Sequence, residues 1–172
     1  MKKFAYLIFG LFILYGCNSG STTPTVASTL TVNTYNYNPG NKTGVNITIG
    51  NGNTLQAEID TGSDMTVVNE SAIGPDVIVT SESLSMTYGG GTNTVSGHIG
   101  YGSVAFTASN GTKLISSPNT PLLVVDEGSV NQGGGNDAIL GMRMNNQVSV
   151  RLYLPNPYNQ MMILNRPLNQ IT

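Results

Sequence analysis

Apolar and polar residues alternate along much of this chain, and turns rich in glycine and asparagine interrupt the alternation. Val45, Ile47 and Ile49 alternate with polar neighbours up to the Gly-Asn-Gly-Asn sequence at 50–53, after which the pattern resumes. A period of two is that of a strand with one buried face, and glycine and asparagine suit tight hairpin turns. The segment therefore predicts a β-hairpin with one face in a hydrophobic core.

Short runs of the same kind continue to the end of the chain. Further strands are predicted at residues 66–68, 77–79, 84–88, 94–106, 113–116, 122–125, 148–154 and 161–164. One short helix is predicted around Met142–Asn146. Many short strands separated by turns are typical of an all-β domain, and 172 residues are enough for one domain. The predicted class is all-β with at most one or two short helices.

The composition excludes several functions. Only 9% of the residues are charged and the formal net charge is -2, which argues against a protein that binds nucleic-acid phosphates. The surface depends instead on neutral polar groups, among them twenty asparagines, and asparagine and glycine are weak helix formers. With one cysteine and one histidine, the chain can form neither a Cys/His metal cluster nor an intrachain disulfide.

The first residues have the pattern of an export signal. Lys2 and Lys3 precede an apolar run over 4–15, which is too short to span a bilayer and leads into Gly16-Cys17. The ending at 14–17 resembles the lipobox of bacterial lipoproteins, which implies cleavage before Cys17 and a diacylglycerol on its sulfur. An ordinary secretory signal with a chance cysteine is the alternative.

The lipobox interpretation divides the chain into three parts. Residues 1–16 are the signal peptide, 17–28 are the acylated Cys17 and a flexible tether of small polar residues, and 29–172 are the folded domain. The expected location is the bacterial cell envelope, where the protein is lipid-anchored and faces the periplasm or the exterior. Asn18 is not the usual inner-membrane retention residue, which favours the outer membrane.

One segment has residues suited to catalysis. A strand-like run ends at Asp60, the turn Thr61-Gly62-Ser63 follows, and a second apolar run begins at Thr66. Gly62 allows a tight bend beside the carboxylate, and the hydroxyls of Thr61 and Ser63 can donate hydrogen bonds locally. Taken alone, an aspartate at the start of a hairpin turn is also ordinary turn chemistry.

Three motifs in order carry a family resemblance. Asp-Thr-Gly-Ser at 60–63 resembles the active-site loop of aspartic proteases of the pepsin and retropepsin group. The stretch 86–97, which contains Tyr-Gly-Gly-Gly-Thr, resembles the flap of a pepsin lobe. Asp-Ala-Ile-Leu-Gly-Met at 137–142 resembles the segment that passes beneath the active-site loop, and 148–164 resembles the last hairpin of the lobe. Over 45–164 the resemblance implies a single-lobe, acid-protease-like closed barrel with a flap hairpin.

The resemblance also implies roles within the active-site loop. Asp60 would be the catalytic carboxylate, and Ser63 would hydrogen-bond to it. Thr61 would make hydroxyl contacts between two such loops, and Gly62 would permit the turn. No metal ion or organic cofactor is implied, because paired carboxylates activate water unaided.

Two further groups of residues would complete the site. Tyr88, Gly89 and Gly90 would form the flap that closes over a peptide or protein substrate. Leu140 and Gly141 would support the loop from below. The alternatives are that Tyr88 is a core aromatic and that Leu140-Gly141 is a turn or helix cap.

The chain departs from pepsins because it has only one Asp-Thr-Gly. The chemistry needs two carboxylates that share one proton, one to take a proton from water and one to donate to the scissile carbonyl. A two-fold dimer would bring Asp60 beside its own copy, so a second copy of the chain is the expected partner. Membrane tethering would raise the effective concentration for this pairing. The nearest other acidic motif, Asp126-Glu127, is interpreted as a solvated turn.

Two other functions are compatible with the sequence. The same fold can serve a non-catalytic surface lipoprotein that binds peptide or glycan. Alternatively, the chain is an unrelated β-sandwich in which Asp60 is a turn residue. A Ser-His-Asp hydrolase is disfavoured, because His98 is interpreted as a solvated residue and the chain has no Gly-x-Ser-x-Gly elbow.

Overall fold

The computed structural model describes residues 29–37, 42–88, 93–126, 130, 137–143, 147–160, 164–165 and 170–171. The strands in these ranges are β1 Val32–Tyr37, β2 Lys42–Ile49, β3 Leu55–Asp60, β4 Thr66–Asn69, β5 Ile78–Tyr88, β6 Asn93–Tyr101, β7 Val104–Thr107, β8 Lys113–Ile115, β9 Pro121–Val125, β10 Ala138–Gly141, β11 Leu164–Asn165 and β12 Gln170–Ile171. Two short 3₁₀ helices, Glu70–Ala72 and Val150–Tyr153, complete them. The predicted all-β class is confirmed.

The described strands form one mostly antiparallel sheet. Its order is β11-β12-β1-β2-β3-β10-β4-β9-β6-β5, with β7 beside β2 and β8 beside β7. The predicted hairpin is β2–β3, in which Val45 pairs with Ala57 and Ile47 pairs with Leu55. Its turn has left-handed backbone at Gly50 and Asn51, the conformation that glycine and asparagine tolerate best.

The strand order has one unusual feature next to the predicted catalytic loop. β3 and β4 follow each other in sequence, yet β10 lies between them, parallel to β3 and antiparallel to β4. The loop over residues 61–65 must therefore pass over the end of β10 to connect its own two strands. Residues 138–141 therefore lie beneath this loop.

Two hydrophobic clusters lie on opposite faces of this part of the sheet. The first cluster contains Leu140 of β10 and the three buried apolar residues of β3, which are Leu55, Ala57 and Ile59. The second cluster contains Met65, Val67, Val95, Ile99, Leu123, Val125 and Val130. Because strand residues alternate in direction, Glu58 and Asp60 point away from the first cluster.

The two separate strands predicted at 77–79 and 84–88 are one strand. β5 extends from Ile78 to Tyr88 and pairs with β6, with a register shift between Val79 and Ser83. Such a bulge accommodates extra residues within one strand, which explains why a polar interruption did not end it. We refer to β5 and β6 together as the flap hairpin; residues 89–92 of its turn, including Gly89 and Gly90, lie outside the described residues.

The strand predicted at 148–154, which would be the first strand of the hairpin that 148–164 resembles, is wrong. Val150–Tyr153 is a 3₁₀ helix, in which Val150, Arg151 and then Leu154 are buried at a spacing close to three. The alternation of apolar residues over 148–154 is compatible with a 3₁₀ turn as well as with a strand, because only one side of so short a turn packs on the core.

The helix predicted around residue 142 is not present where the structure describes that segment. Met142 and Arg143 lie in neither helix nor strand, because their backbone N–H groups donate to the carbonyls of Asp60 and Ser63. Residues 144–146 lie outside the described ranges. Of the strand predicted at 161–164, only Leu164 is described, and it lies in β11.

The amino-terminal segment 1–28, with Cys17, also lies outside the described residues. Within the described part of the chain, no helix has the length and apolar character needed to cross a membrane.

Candidate active site

Asp60 is the last residue of β3, and its half-buried carboxylate is held by the loop that follows. Oδ1 accepts a hydrogen bond of 2.8 Å from the backbone N–H of Gly62, and Oδ2 accepts one of 2.5 Å from Ser63 Oγ. Each carboxylate oxygen has a second lone pair. The carboxylate is therefore fixed in orientation and can still accept a proton or a hydrogen bond.

The other loop residues differ in their exposure to solvent. Thr61 and Gly62 are exposed, whereas Ser63 is buried. A Cβ at position 62 would lie 3.2 Å from Asp60 Oδ1, so even alanine would press on the carboxylate. Glycine at this position keeps room for the short turn and for the backbone donor.

The end of β10 supports the loop through its backbone. Gly141 pairs with Asp60, and the next residue, Met142, donates its N–H to the carbonyl of Asp60 at 3.0 Å. Arg143 donates its N–H to the carbonyl of Ser63 at 3.2 Å. These bonds attach both ends of the catalytic turn to β10.

Leu140 and Gly141 support the loop in different ways. Leu140 is fully buried in the first cluster, which anchors β10. Gly141 crosses the backbone of Met65 so closely that a Cβ would lie 2.5 Å from the Met65 carbonyl carbon and closer still to its oxygen. Only glycine fits this crossing without a shift of one of the two backbones.

Sequence reasoning missed two hydroxyls beneath the loop. The buried Thr66 accepts a hydrogen bond of 3.2 Å at Oγ1 from the N–H of Gly141, and the buried Ser149 donates one of 3.2 Å to the carbonyl of Gly141. A threonine within the apolar run 65–68 was the available signal, because a buried hydroxyl needs a partner.

Two ion pairs beside the loop were also missed. Arg143 Nη1 lies 2.9 Å from Asp64 Oδ1, and Lys42 Nζ lies 2.7 Å from Glu58 Oε2. Asp64 and Arg143 are 79 residues apart, so residue spacing contains no signal for that pair, whereas Lys42 and Glu58 lie on the two strands of the predicted hairpin.

The flap hairpin packs on the same hydrophobic cluster as the loop that follows Asp60. Val95 and Ile99 of β6 and the partly buried Met86 of β5 pack in the second cluster with Met65, which follows the catalytic turn. The backbone of Tyr88 pairs with Asn93 at the end of the described hairpin. The hairpin therefore lies on the loop side of the sheet, which is the side that the resemblance implies for a flap.

His98 lies on β6, paired with Ser83 and Val124, and its side chain is exposed. It borders an open groove of about 320 Å³ along the flap hairpin. The groove is lined by Ser83, Leu84, Ser85, Ser96, Gly97, His98 and Asp126. Three of these residues provide hydroxyl groups, so the groove can exchange hydrogen bonds with a polar ligand.

Tyr35 lies on β1, opposite Gly44 of β2, and the pKa of its phenol is raised. Its ring packs against Gly44, where a Cβ would lie 2.7 Å from the phenol oxygen. Burial, with a smaller contribution from the negative charge of Asp137, raises the pKa of Tyr35 to about 12. The phenol therefore stays protonated over the whole neutral and acidic range.

Metal ligands do not cluster in the described part of the chain. There, no group of three or more His, Cys, Asp or Glu side chains is placed so that it could hold a metal ion.

Comparison with known proteins relates the chain to others by fold only. No protein-family model and no curated protein sequence matches it. Among solved structures, soybean basic 7S globulin, which has an aspartic-protease-like fold, matches with a TM-score of 0.57 and 12% identity over 71% of this chain. The fold of this chain is thus similar to that of aspartic proteases.

The same comparison covers 41% of the soybean protein. The chain therefore spans less than half the length of its structural neighbour. At this identity the likeness shows the fold and carries no activity.

Proposed function

We propose that the protein is an aspartic endopeptidase that hydrolyses peptide bonds, with Asp60 as its catalytic carboxylate. The observation that supports this is the Asp60 loop itself: both carboxylate oxygens accept hydrogen bonds from the Thr-Gly-Ser turn, and β10 holds the turn from below. The position of the flap hairpin on the same cluster adds support.

A single Asp60 provides only one of the two carboxyl groups that the proposed reaction needs. The reaction needs one carboxylate to take a proton from the attacking water and a second, protonated carboxyl to donate to the scissile carbonyl oxygen. We propose that a second copy of this chain supplies the second carboxyl across a two-fold axis. The single Asp-Thr-Gly in this sequence supports an active site shared between two copies.

The test is cleavage of a diverse peptide mixture by the chain expressed from its whole sequence, from pH 3 to 7. The wild type should cleave, and Asp60→Asn should lose about a thousandfold or more in rate, because it cannot share a proton with its partner. Asp76→Asn, at an exposed aspartate before β5, is the matched control and should keep full activity.

A concentration series tests the assembly of the site. Below the dissociation constant of the dimer, the rate should rise as the square of the chain concentration. A linear rise with a monomer in solution would exclude the dimer, and no cleavage at any concentration would exclude the peptidase.

We also propose that the chain is exported and anchored through a diacylglycerol on Cys17 to the bacterial envelope, facing the periplasm or the exterior. The short apolar run and the lipobox-like ending support this proposal. Labelled fatty acid should be incorporated into the wild type and not into Cys17→Ser. Incorporation into both would refute the anchor.

A second candidate is a non-catalytic protein that binds peptide or glycan. The single Asp-Thr-Gly and the hydroxyl-lined groove along the flap hairpin favour it. In that case, Asp60→Asn would leave binding to immobilised peptides or glycans unchanged, whereas Ser96→Tyr in the groove would reduce it.

A further inference from the structure

Charged residues concentrate around Asp60 in a chain that has few of them. The whole sequence has seven basic and nine acidic residues among 172. Lys42, Glu58, Asp64 and Arg143 nevertheless lie on β2, on β3 and on the two segments that adjoin Asp60. With Asp60 they add two basic and three acidic groups, a formal surplus of one negative charge.

Glu58 shares a face of β3 with Asp60. Leu55, Ala57 and Ile59 turn into the first cluster, so Glu58 and Asp60 point to the other side. Two residues along a strand span about 7 Å. Glu58 is therefore the nearest residue to Asp60 on this face of β3, and only 17% of the Glu58 side chain is exposed.

Lys42 reaches the same carboxylate from the neighbouring strand. Gly44 pairs with Glu58, and Lys42, two residues before Gly44 on β2, lies on the same face of the sheet as Gly44. The Lys42 ammonium pairs with Glu58 at 2.7 Å, while 43% of the lysine side chain remains exposed. Lys42 is also the first residue of β2.

The two members of this pair differ in how easily they can move. Glu58 lies within a strand paired on one side with Gly44 and on the other with Ile139, whereas Lys42 has a longer, more exposed side chain at a strand end. A ligand ammonium or guanidinium can take the place of Lys42 beside the Glu58 carboxylate, because the exchange replaces one ion pair by another.

We infer that Glu58 selects a basic substrate side chain, lysine or arginine, beside the scissile bond, and that Lys42 pairs with Glu58 when no such side chain is bound. This inference rests on the proposed peptidase function. Ile139, half-buried and paired with Glu58, provides an apolar surface for the methylene stem of the basic residue.

The experiment uses matched peptides and the chain expressed from its whole sequence. One peptide series carries arginine, norleucine or glutamate at either residue that flanks the scissile bond, and kcat/KM is measured at pH 6. The wild type should prefer arginine over norleucine by about tenfold. Glu58→Gln should reduce this preference to less than about twofold, whereas Glu70→Gln, on the first 3₁₀ helix, should keep the wild-type preference.

A charge swap separates specificity from structural pairing. The double variant Lys42→Glu with Glu58→Lys keeps an ion pair but places the cation on β3, so the preference should reverse to the glutamate peptide. A restored arginine preference in the swap, or an unchanged preference in Glu58→Gln, would overturn the inference.

Binding of a fluorescent arginine peptide, measured by anisotropy, distinguishes failure of the inference from failure of the peptidase. Tighter binding by the wild type than by Glu58→Gln without any cleavage would refute the peptidase and support the charge preference. Equal binding by both forms would refute the preference.

Discussion

Replacement of Gly141 by alanine should destabilise the packing of β10 against the loop that follows Asp60. The new Cβ would lie 2.5 Å from the carbonyl carbon of Met65, and both groups belong to backbone that cannot rotate away. A shift of β10 would lengthen the bonds that Gly141 makes with Thr66 and Ser149, both of which are buried. Two weakened buried hydrogen bonds at about 1 kcal/mol each, with overpacking of about 1–3 kcal/mol, give a loss of about 3–5 kcal/mol.

Urea unfolding followed by circular dichroism measures this loss. With a slope of about 2 kcal/mol per molar urea, the midpoint should fall by about 2 M. Gly111→Ala is the control, because Gly111 has a φ of 84° and no atom within 4 Å of a new Cβ. It should cost only the left-handed backbone strain of about 1–2 kcal/mol. A Gly141→Ala variant no less stable than Gly111→Ala would refute the crowding at Met65.

Two further predictions concern buried polar groups. Thr66→Val should lower the free energy of unfolding by about 1–3 kcal/mol and speed amide exchange at Gly141, because the Gly141 N–H loses its acceptor. Thr66→Ser should keep that amide protected. Equal exchange rates at Gly141 in both variants would contradict this prediction. The raised pKa of Tyr35 means that the unfolded chain loses its phenol proton first, so stability should be complete below pH 10 and fall by about 1–2 kcal/mol as the pH rises to 12. Titration of chemical denaturation should show this fall in the wild type and not in Tyr35→Phe, and a smaller fall in Asp137→Asn.

The sequence was informative wherever local chemistry decides structure. The alternation around Val45 and Ala57 predicted the β2–β3 hairpin, because one buried face imposes a period of two. The Asp60 turn was predictable for a similar reason: glycine and the serine hydroxyl act within three residues of the carboxylate. Local patterns of this kind need no knowledge of distant partners.

The sequence was uninformative where tertiary contacts decide. The run at 148–154 reads as a strand, yet Ser149 bonds to Gly141 and Arg151 donates to the carbonyls of Asn159 and Gln160, which favours a 3₁₀ turn. The segment after Gly141 reads as a short helix, but its amides are occupied by Asp60 and Ser63. In both cases, long-range hydrogen bonds outweigh a weak local preference.

The insertion of β10 between β3 and β4 has a consequence for the order of folding. Pairing of residues 138–141 with 57–60 and 67–68 closes loops of about eighty residues, the slow, entropically costly kind of contact. A nascent chain that has emerged only as far as β9 lacks the neighbour that both β3 and β4 need. The carboxylate turn therefore reaches its final geometry only after residues 138–141 have been synthesised, later than most of the sheet.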